Sequence, residues 1–340
     1  MKAAVLHGIR DLRVEEVAEP SLLENEVLIE VKAAGICGTD IHFFKGEWAV
    51  PTPLIPGHEF SGVVSKVGKG ASGVREGWHV VAEPNVVCGS CYFCKTSEKN
   101  FFCSNLKATG VDTDGAFAEF VKVPASNVYK IPEAMSFEEA ALIEPVACCV
   151  RGIDQAGIRL GDFVAIIGSG PIGSILAQLA KMNGARSVLV SDVSDERLER
   201  AKSLGADHAV NSSKEDLAEA VGGLTGGVGA DVAIEAVGKP ETVSQAIAIA
   251  RKGGRVNIFG VAPQDAVLSV KPFDLYAKEL TITTSYRSPF TFQRAVGLAS
   301  SGRLMLKPLI THVLPLEEIS EAFEMVEGRK QGVMKAMVKP

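Results

Sequence analysis

The residues able to do chemistry in this chain fall into two clusters and one turn. Cys88, Cys91, Cys94 and Cys103 stand at C-x2-C-x2-C-x8-C spacing inside a single polar loop. Such a loop has no hydrophobic reason to gather four thiols, whereas tetrahedral zinc takes four thiolates in closed structural sites. A zinc held that way has no open position, so it would brace the loop, about residues 84–105, and not catalyse.

The second cluster is spread out. Cys37-Gly38-Thr39-Asp40-Ile41-His42 and Pro56-Gly57-His58-Glu59 supply thiol, imidazole and carboxylate, all good zinc ligands. His58 and Glu59 are adjacent, and a regular strand would aim them at opposite faces. Only an irregular backbone brings both to one ion, and Pro56-Gly57 makes that irregularity plausible. Glu144 lies within the apolar stretch from Ala140 to Val150, where a carboxylate is costly without a cation or proton partner. Charge counting limits the ligand set, because one thiolate and one carboxylate already neutralise a divalent ion. Of Glu59 and Glu144, one is therefore expected to bind directly and the other through a water, with the choice between them open.

The turn is Gly168-Ser169-Gly170-Pro171-Ile172-Gly173, preceded by the apolar run Phe163 to Ile167 and followed by a Leu/Ala-rich segment. It reads as strand, turn and helix, with glycines at G-x-G-x-x-G spacing. Gly168 would permit the tight turn, Gly170 would let backbone approach a pyrophosphate, and Gly173 would let helix and strand pack closely. A second apolar strand, Ser187 to Ser191, ends in Asp192, placed to accept both ribose hydroxyls of NAD. A 2′-phosphate beside Asp192 would meet like charge, which Arg197 in the next turn could partly offset.

These sites need elements to hold them. From Met1 to about Leu142 short strands alternate with glycine and proline turns, including Val27 to Ala33, Gly62 to Gly68 and His79 to Ala82, which suits an antiparallel β-rich domain. From about Pro145 to Thr283 strands alternate with helical segments. Strands at Phe163 to Ile167, Ser187 to Ser191, His208 to Asn211, Asp231 to Ala236, Arg255 to Phe259 and Leu280 to Thr283 fit a doubly wound parallel sheet. The strand-like Lys335 to Pro340 returns to the first domain, so the nucleotide domain is an insertion. The expected division is 1–146 with 284–340 for the catalytic domain and 147–283 for the nucleotide domain.

A length of 340 residues and 46% hydrophobic content allow two cores. A net charge of −6 argues against nucleic acid or anionic membrane as partner, and no uncharged apolar run is long enough to span a bilayer. The N-terminus reads as a strand and turn, not a signal peptide, which points to a cytoplasmic protein with reduced thiols. His7, His79, His208 and His312 lack a ligand cluster and read as structural or solvated. Cys148 and Cys149 read as buried small thiols. Phe44 and Trp48 fit a substrate cleft or core equally well.

Together these motifs, with Pro308-Leu309-Ile310-Thr311-His312 near the end, resemble the zinc-containing medium-chain dehydrogenases nearly end to end, and within them most the sorbitol or L-iditol type polyol dehydrogenases. The resemblance implies an α/β protein, a GroES-like β-rich catalytic domain plus a Rossmann domain. It implies catalytic zinc on Cys37, His58 and a glutamate, with Thr39 and His42 on the proton path. It places the dinucleotide on Gly168, Gly170, Ile172, Gly173, Asp192 and Arg197. Glu144 occupies a position where simple alcohol dehydrogenases have a ligand cysteine, and Arg287 matches an arginine used toward substrate hydroxyls. Ser288 and Phe43 stand where sorbitol enzymes carry tyrosines, which points away from sorbitol itself. The Cys94–Cys103 gap is one residue longer than usual, and a bulge is expected to absorb it.

The implied reaction is hydride transfer from a secondary alcohol to NAD, with two zinc ions per chain. The substrate would be a small polyol and the protein a homodimer or homotetramer. The nearest alternatives are an L-threonine 3-dehydrogenase and a 2,3-butanediol type alcohol dehydrogenase, the former sharing the Thr-Asp-x-His arrangement. A non-catalytic NAD(H) sensor would lack metal ligands that this sequence has.

Overall fold

A computed structural model describes residues 1–96, 100–328 and 332–340. The chain divides into two units, one of Met1–Ala147 with Pro289–Pro340 and the other of Cys148–Ser288.

In the first unit, short strands rich in buried apolar residues form a seven-stranded sheet. Its spatial order is Ile310–Pro315, Lys335–Lys339, Glu26–Gly35, Glu59–Val67, His79–Ala82 and Val128–Lys130, with Phe120–Pro124 also paired to Glu26–Gly35. Strand Glu26–Gly35 is central, and its register with Glu59–Val67 slips at Leu28/Ile29 and Val31/Ala33. Those irregularities bend the pair so that Gly35 ends opposite Glu59. The C-terminal strand joins on the other side, with Met337 opposite Gly35. The chain's last strand and the ends of two early ones thus meet at one corner. Phe60, Phe117, Phe323 and Ile29 fill the core beneath.

Among the helices that depart from the strand-and-turn expectation, Gly38–Lys45 matters most for the site. Cys37 is its N-cap, and Asp40 at the third helical position returns its carboxylate to the Cys37 N–H at 2.8 Å. That is the capping-box geometry, built from the same motif that supplies the chemistry. Phe44 packs on Phe323 with ring centroids 5.5 Å apart, and Trp48 packs beside Phe43 at 6.0 Å, so both aromatics contribute to the core.

The second unit holds six parallel strands in spatial order third, second, first, fourth, fifth, sixth. In chain order they are Phe163–Ile167, Ser187–Asp192, His208–Asn211, Ala230–Glu235, Ala250–Ile258 and Thr281–Thr284. All five residues of the first are buried, as an unbroken apolar run requires when both faces are covered. The fifth strand begins at Ala250 and not near Arg255. Gly253 and Gly254 read as a break in the sequence, but the chain bulges through them, with Gly253 at φ 66° and the register shifting between Ala230 and Val232. The expected apolar segment around Glu144 is the start of a helix, Ile143–Ala156. No helix among the described residues is long and apolar enough to cross a membrane.

Candidate active site and metal centres

Cys37, His58 and Glu59 converge, each offering a ligand atom within 4.8 Å of the others. Cys37 sits in the turn between the central strand and the helix that follows it. His58 immediately precedes strand Glu59–Val67, at a kink made by Gly57 with φ 99°. Any side chain on Gly57 would strike the Phe117 backbone nitrogen at 2.8 Å, so tight packing as well as backbone angle demands glycine there. The kink is what turns adjacent His58 and Glu59 toward one point.

Behind the trio stand two charged residues whose parts the sequence did not disclose. Asp40, 1% exposed, accepts from the Cys37 N–H through one oxygen and places the other 3.3 Å from His58 Nδ1. That second contact has the separation of an ion pair and not the alignment of a hydrogen bond. Burial alone would lower the proton affinity of His58, but Asp40 and then Cys37 outweigh it and raise it well above the ordinary value. An imidazole facing a carboxylate through Nδ1 keeps Nε2 for a metal, the usual support of histidine ligands. Lys335, buried, pairs its ammonium with Glu59 Oε2. Burial opposes its charge, yet Glu59, Cys37 and Asp40 together raise its pKa. A Cβ on Gly35 would lie 2.7 Å from Glu59 Oε2 and 2.8 Å from Lys335 Cε, so the pair also depends on that glycine. Asp40 carried a signal, since it is an acid at the capping-box position of a motif already singled out. Lys335 carried none, being brought in by the last strand.

Lys335 also changes the charge count. With an ammonium against Glu59, a thiolate and two carboxylates no longer over-neutralise a divalent ion, so the limit to one direct glutamate is relaxed. Glu144, 9% exposed, lies outside the trio of ligand atoms. Its charge bears instead on Glu83, whose carboxyl is pushed up to about 7 by burial and then by Glu144. The Tyr129 hydroxyl hydrogen-bonds Glu83 and is itself pushed up to about 12 by burial and that neighbour. Thr39 and His42 are half-buried on the helix that Cys37 caps, one turn apart.

The four-cysteine loop makes a second metal centre of different character. Sulfur separations are 3.5 Å for Cys88–Cys103 and 3.6 Å for Cys91–Cys94, and all four lie within 4.8 Å of one another. Zinc–sulfur bonds of about 2.3 Å in a tetrahedron give sulfur–sulfur edges of roughly 3.8 Å, so the thiols fit zinc. The Ser90 hydroxyl and backbone N–H groups push Cys88 down to about 5, and the backbone at Cys94 and Ser104 pushes Cys91 down to about 7. Burial and then the neighbouring thiols push Cys94 up to about 12. The Cys88 and Cys91 thiolates form readily there, and Cys94 calls for a cation. The expected bulge between Cys94 and Cys103 falls on residues 97–99, outside the described residues.

In the second unit Gly168 takes φ 99°, and a Cβ on Gly173 would fall 1.8 Å from the Gly168 carbonyl oxygen. Gly170 caps the helix Pro171–Met182 and faces open space, leaving room for a phosphate beside Ile172 in the first helical turn. Asp192 Oδ2 accepts from Ser169 N–H at 2.9 Å, while Oδ1 accepts from Val193 and Ser194. The acid at the end of the second strand is thus tied to the glycine turn. Arg197 lies in the first turn of helix Asp195–Ser203. Arg287 adopts φ 59°, rare for a side chain of its size, with its guanidinium over the Tyr286 ring at 5.1 Å.

The remaining histidines take ordinary places: His7 by Glu15, His79 on the Phe137 ring, His208 on Phe163 and His312 by Thr311. Cys149 is buried and Cys148 half-buried.

Residues 23–133 match the alcohol dehydrogenase GroES-like domain and residues 171–301 the zinc-binding dehydrogenase domain. An L-threonine 3-dehydrogenase from Bacillus licheniformis is 40% identical over 324 residues, 94% of this chain and 93% of that protein. A sorbitol dehydrogenase from Bacillus subtilis is 35% identical over 345 residues, 100% of this chain and 97% of that one. Among solved structures, a zinc-binding dehydrogenase from Sinorhizobium meliloti 1021 bound to NADP superposes with TM-score 0.96 at 35% identity, covering 100% of this chain and 99% of that chain. A match of this extent, across both units and onto a site already built for zinc, means that the chain belongs to the zinc-dependent medium-chain dehydrogenases.

Proposed function

We propose that the protein oxidises a secondary alcohol of a small polyol or sugar-like substrate with NAD, giving the ketone and NADH. The observation that carries this reading is the Cys37–His58–Glu59 trio, its histidine and glutamate buried, with Asp40 and Lys335 fixed behind it. Zinc bound there supplies a Lewis acid that makes an alcohol proton easier to lose near neutral pH. The protein's own groups do the rest. Asp40 orients His58, and Lys335 holds Glu59 against recoil. Glu144 acts through a water or on a neighbouring substrate hydroxyl. Thr39 accepts the alcohol proton and His42, one turn on, receives it from Thr39. Arg287, held at a strained backbone angle, serves a vicinal hydroxyl. Positioning of alcohol against nicotinamide then supplies most of the rate, since the cofactor carries the redox step.

Asp192 favours NAD, because its carboxylate can accept ribose hydroxyls and repels a 2′-phosphate. The S. meliloti protein, bound to NADP, makes that preference worth testing directly. Asp192→Ala is expected to weaken NAD and narrow the gap to NADP by about tenfold; an unchanged ratio of kcat/KM for the two would remove Asp192 from this role.

L-Threonine is the second reading, favoured by the 40% identity to a threonine dehydrogenase. Cofactor reduction by the zinc-replete enzyme separates the two, using polyols, simple secondary alcohols, 2,3-butanediol and threonine. A rate on a polyol supports the first reading. Silence on all polyols with turnover of threonine or butanediol replaces the substrate and keeps the site.

A further inference from the structure

The helix that carries Thr39 and His42 ends in a way that builds a partner for the histidine. Gly46 is left-handed at φ 72°, its N–H returning to the Phe43 carbonyl at 3.0 Å, and the Glu47 N–H returns to the His42 carbonyl at 3.0 Å. This nested pair of bonds is the Schellman termination, which folds the second residue past the helix back over its last turn. A side chain on Gly46 would strike Ile9 Cδ1 at 2.6 Å, so packing reinforces the choice of residue. Glu47 is thereby tethered to His42 twice, by backbone and by side chain, its Oε2 standing 2.5 Å from His42 Nδ1.

The bond has one sensible polarity. Lys45 also pairs with Glu47, and Lys45 and then His42 hold the carboxyl below its ordinary value. An ionised carboxylate can only accept, so the hydrogen belongs to Nδ1 and Nε2 is left with its lone pair. The Trp48 ring stands edge-on to the imidazole at 6.4 Å and limits its tilt.

We infer that Glu47 is a positioning residue for this dehydrogenase: it holds His42 in the Nδ1–H form, so that Nε2 is the atom that takes the proton leaving the alcohol. The inference rests on the reading of His42 as the relay. The substrate O–H bond breaks, its proton passes by way of Thr39 to His42 Nε2, and the imidazolium formed is paired with the Glu47 carboxylate. Both side chains are open to solvent, at 36% and 43% exposure, so the imidazolium discharges that proton to bulk water.

Two measurements on the intact enzyme test this. Ring 15N shifts of His42 in labelled protein at neutral pH should show a protonated Nδ1 and a bare Nε2, and Glu47→Ala should convert it toward the Nε2–H form. In turnover, Glu47→Ala should lower kcat about tenfold with KM for NAD unchanged, and Glu47→Gln, which keeps an acceptor oxygen, should restore most of it. Combined with His42→Ala it should cost nothing further. An unaltered tautomer with full kcat in Glu47→Ala, beside a slowed His42→Ala, overturns the role of Glu47. A fully active His42→Ala overturns the relay itself, and Glu47's part with it.

Discussion

The two metal centres of the first unit are built by opposite means. The four thiols lie on one short stretch of chain and are partly open to solvent, and among the described residues no buried charge stands behind them. The trio is gathered from a helix cap and a kinked strand start, buries its histidine and glutamate, and leans on Asp40 and on Lys335 from the last strand. A local site asks little of the fold, so the metal must organise the loop. A non-local site is organised by the sheet that surrounds it, so the fold survives without the metal and the chemistry does not.

The largest effect that would break this contrast lies at the trio. Cys37→Ser should cut kcat by about 10³-fold or more, as loss of several kcal/mol of charge stabilisation requires, while its circular dichroism and unfolding midpoint stay near wild type. A variant that unfolded instead would make the trio's metal as structural as the loop's.

Next comes the charge behind it. In zinc-free protein, Lys335→Met should cost about 3–5 kcal/mol in chemical denaturation, because it strands a buried Glu59 carboxylate. Adding Glu59→Gln should recover part of that loss, and strict additivity of the two would show that the pair is not coupled.

Glu83 offers a smaller and pH-dependent effect. Its folded pKa, raised by burial and then by Glu144, lies above the ordinary 4.5, so the folded state holds a proton that the unfolded chain releases. Stability should therefore be full below pH 4.5 and fall as pH rises through about 7, by at most about 3 kcal/mol. Glu83→Gln should flatten that slope, matching wild type at pH 4 and exceeding it at pH 8; parallel curves would deny the coupling of Glu83 to Glu144.

The smallest effect belongs to the exposed loop. Cys94→Ser should lower the unfolding midpoint by only a few degrees while accelerating amide exchange within residues 84–105. Uniform acceleration across the central sheet would show that the loop supports more than itself.

The same contrast explains what was legible in the sequence. The loop cysteines and the glycine turn announce themselves because spacing along the chain is spacing in space. The six parallel strands were legible for a similar reason, each a short apolar run between breaks, except where Gly253-Gly254 bulged and did not break. Cys37, His58 and Glu59 were legible by type, but their convergence depends on Gly57 and on register slips between two strands. Lys335 and Glu83 were not legible, because a lone lysine or glutamate in a strand end looks like a solvated one until the partner across the sheet is known.

Zinc content measured beside turnover, on wild type and Cys94→Ser prepared alike, tests the account most directly. Wild type should carry two zinc ions per chain, one for each ligand group, and Cys94→Ser should carry one and keep most of its rate. A Cys94→Ser protein that retains the trio's zinc, folds and yet turns over nothing would contradict the assignment of chemistry to Cys37, His58 and Glu59.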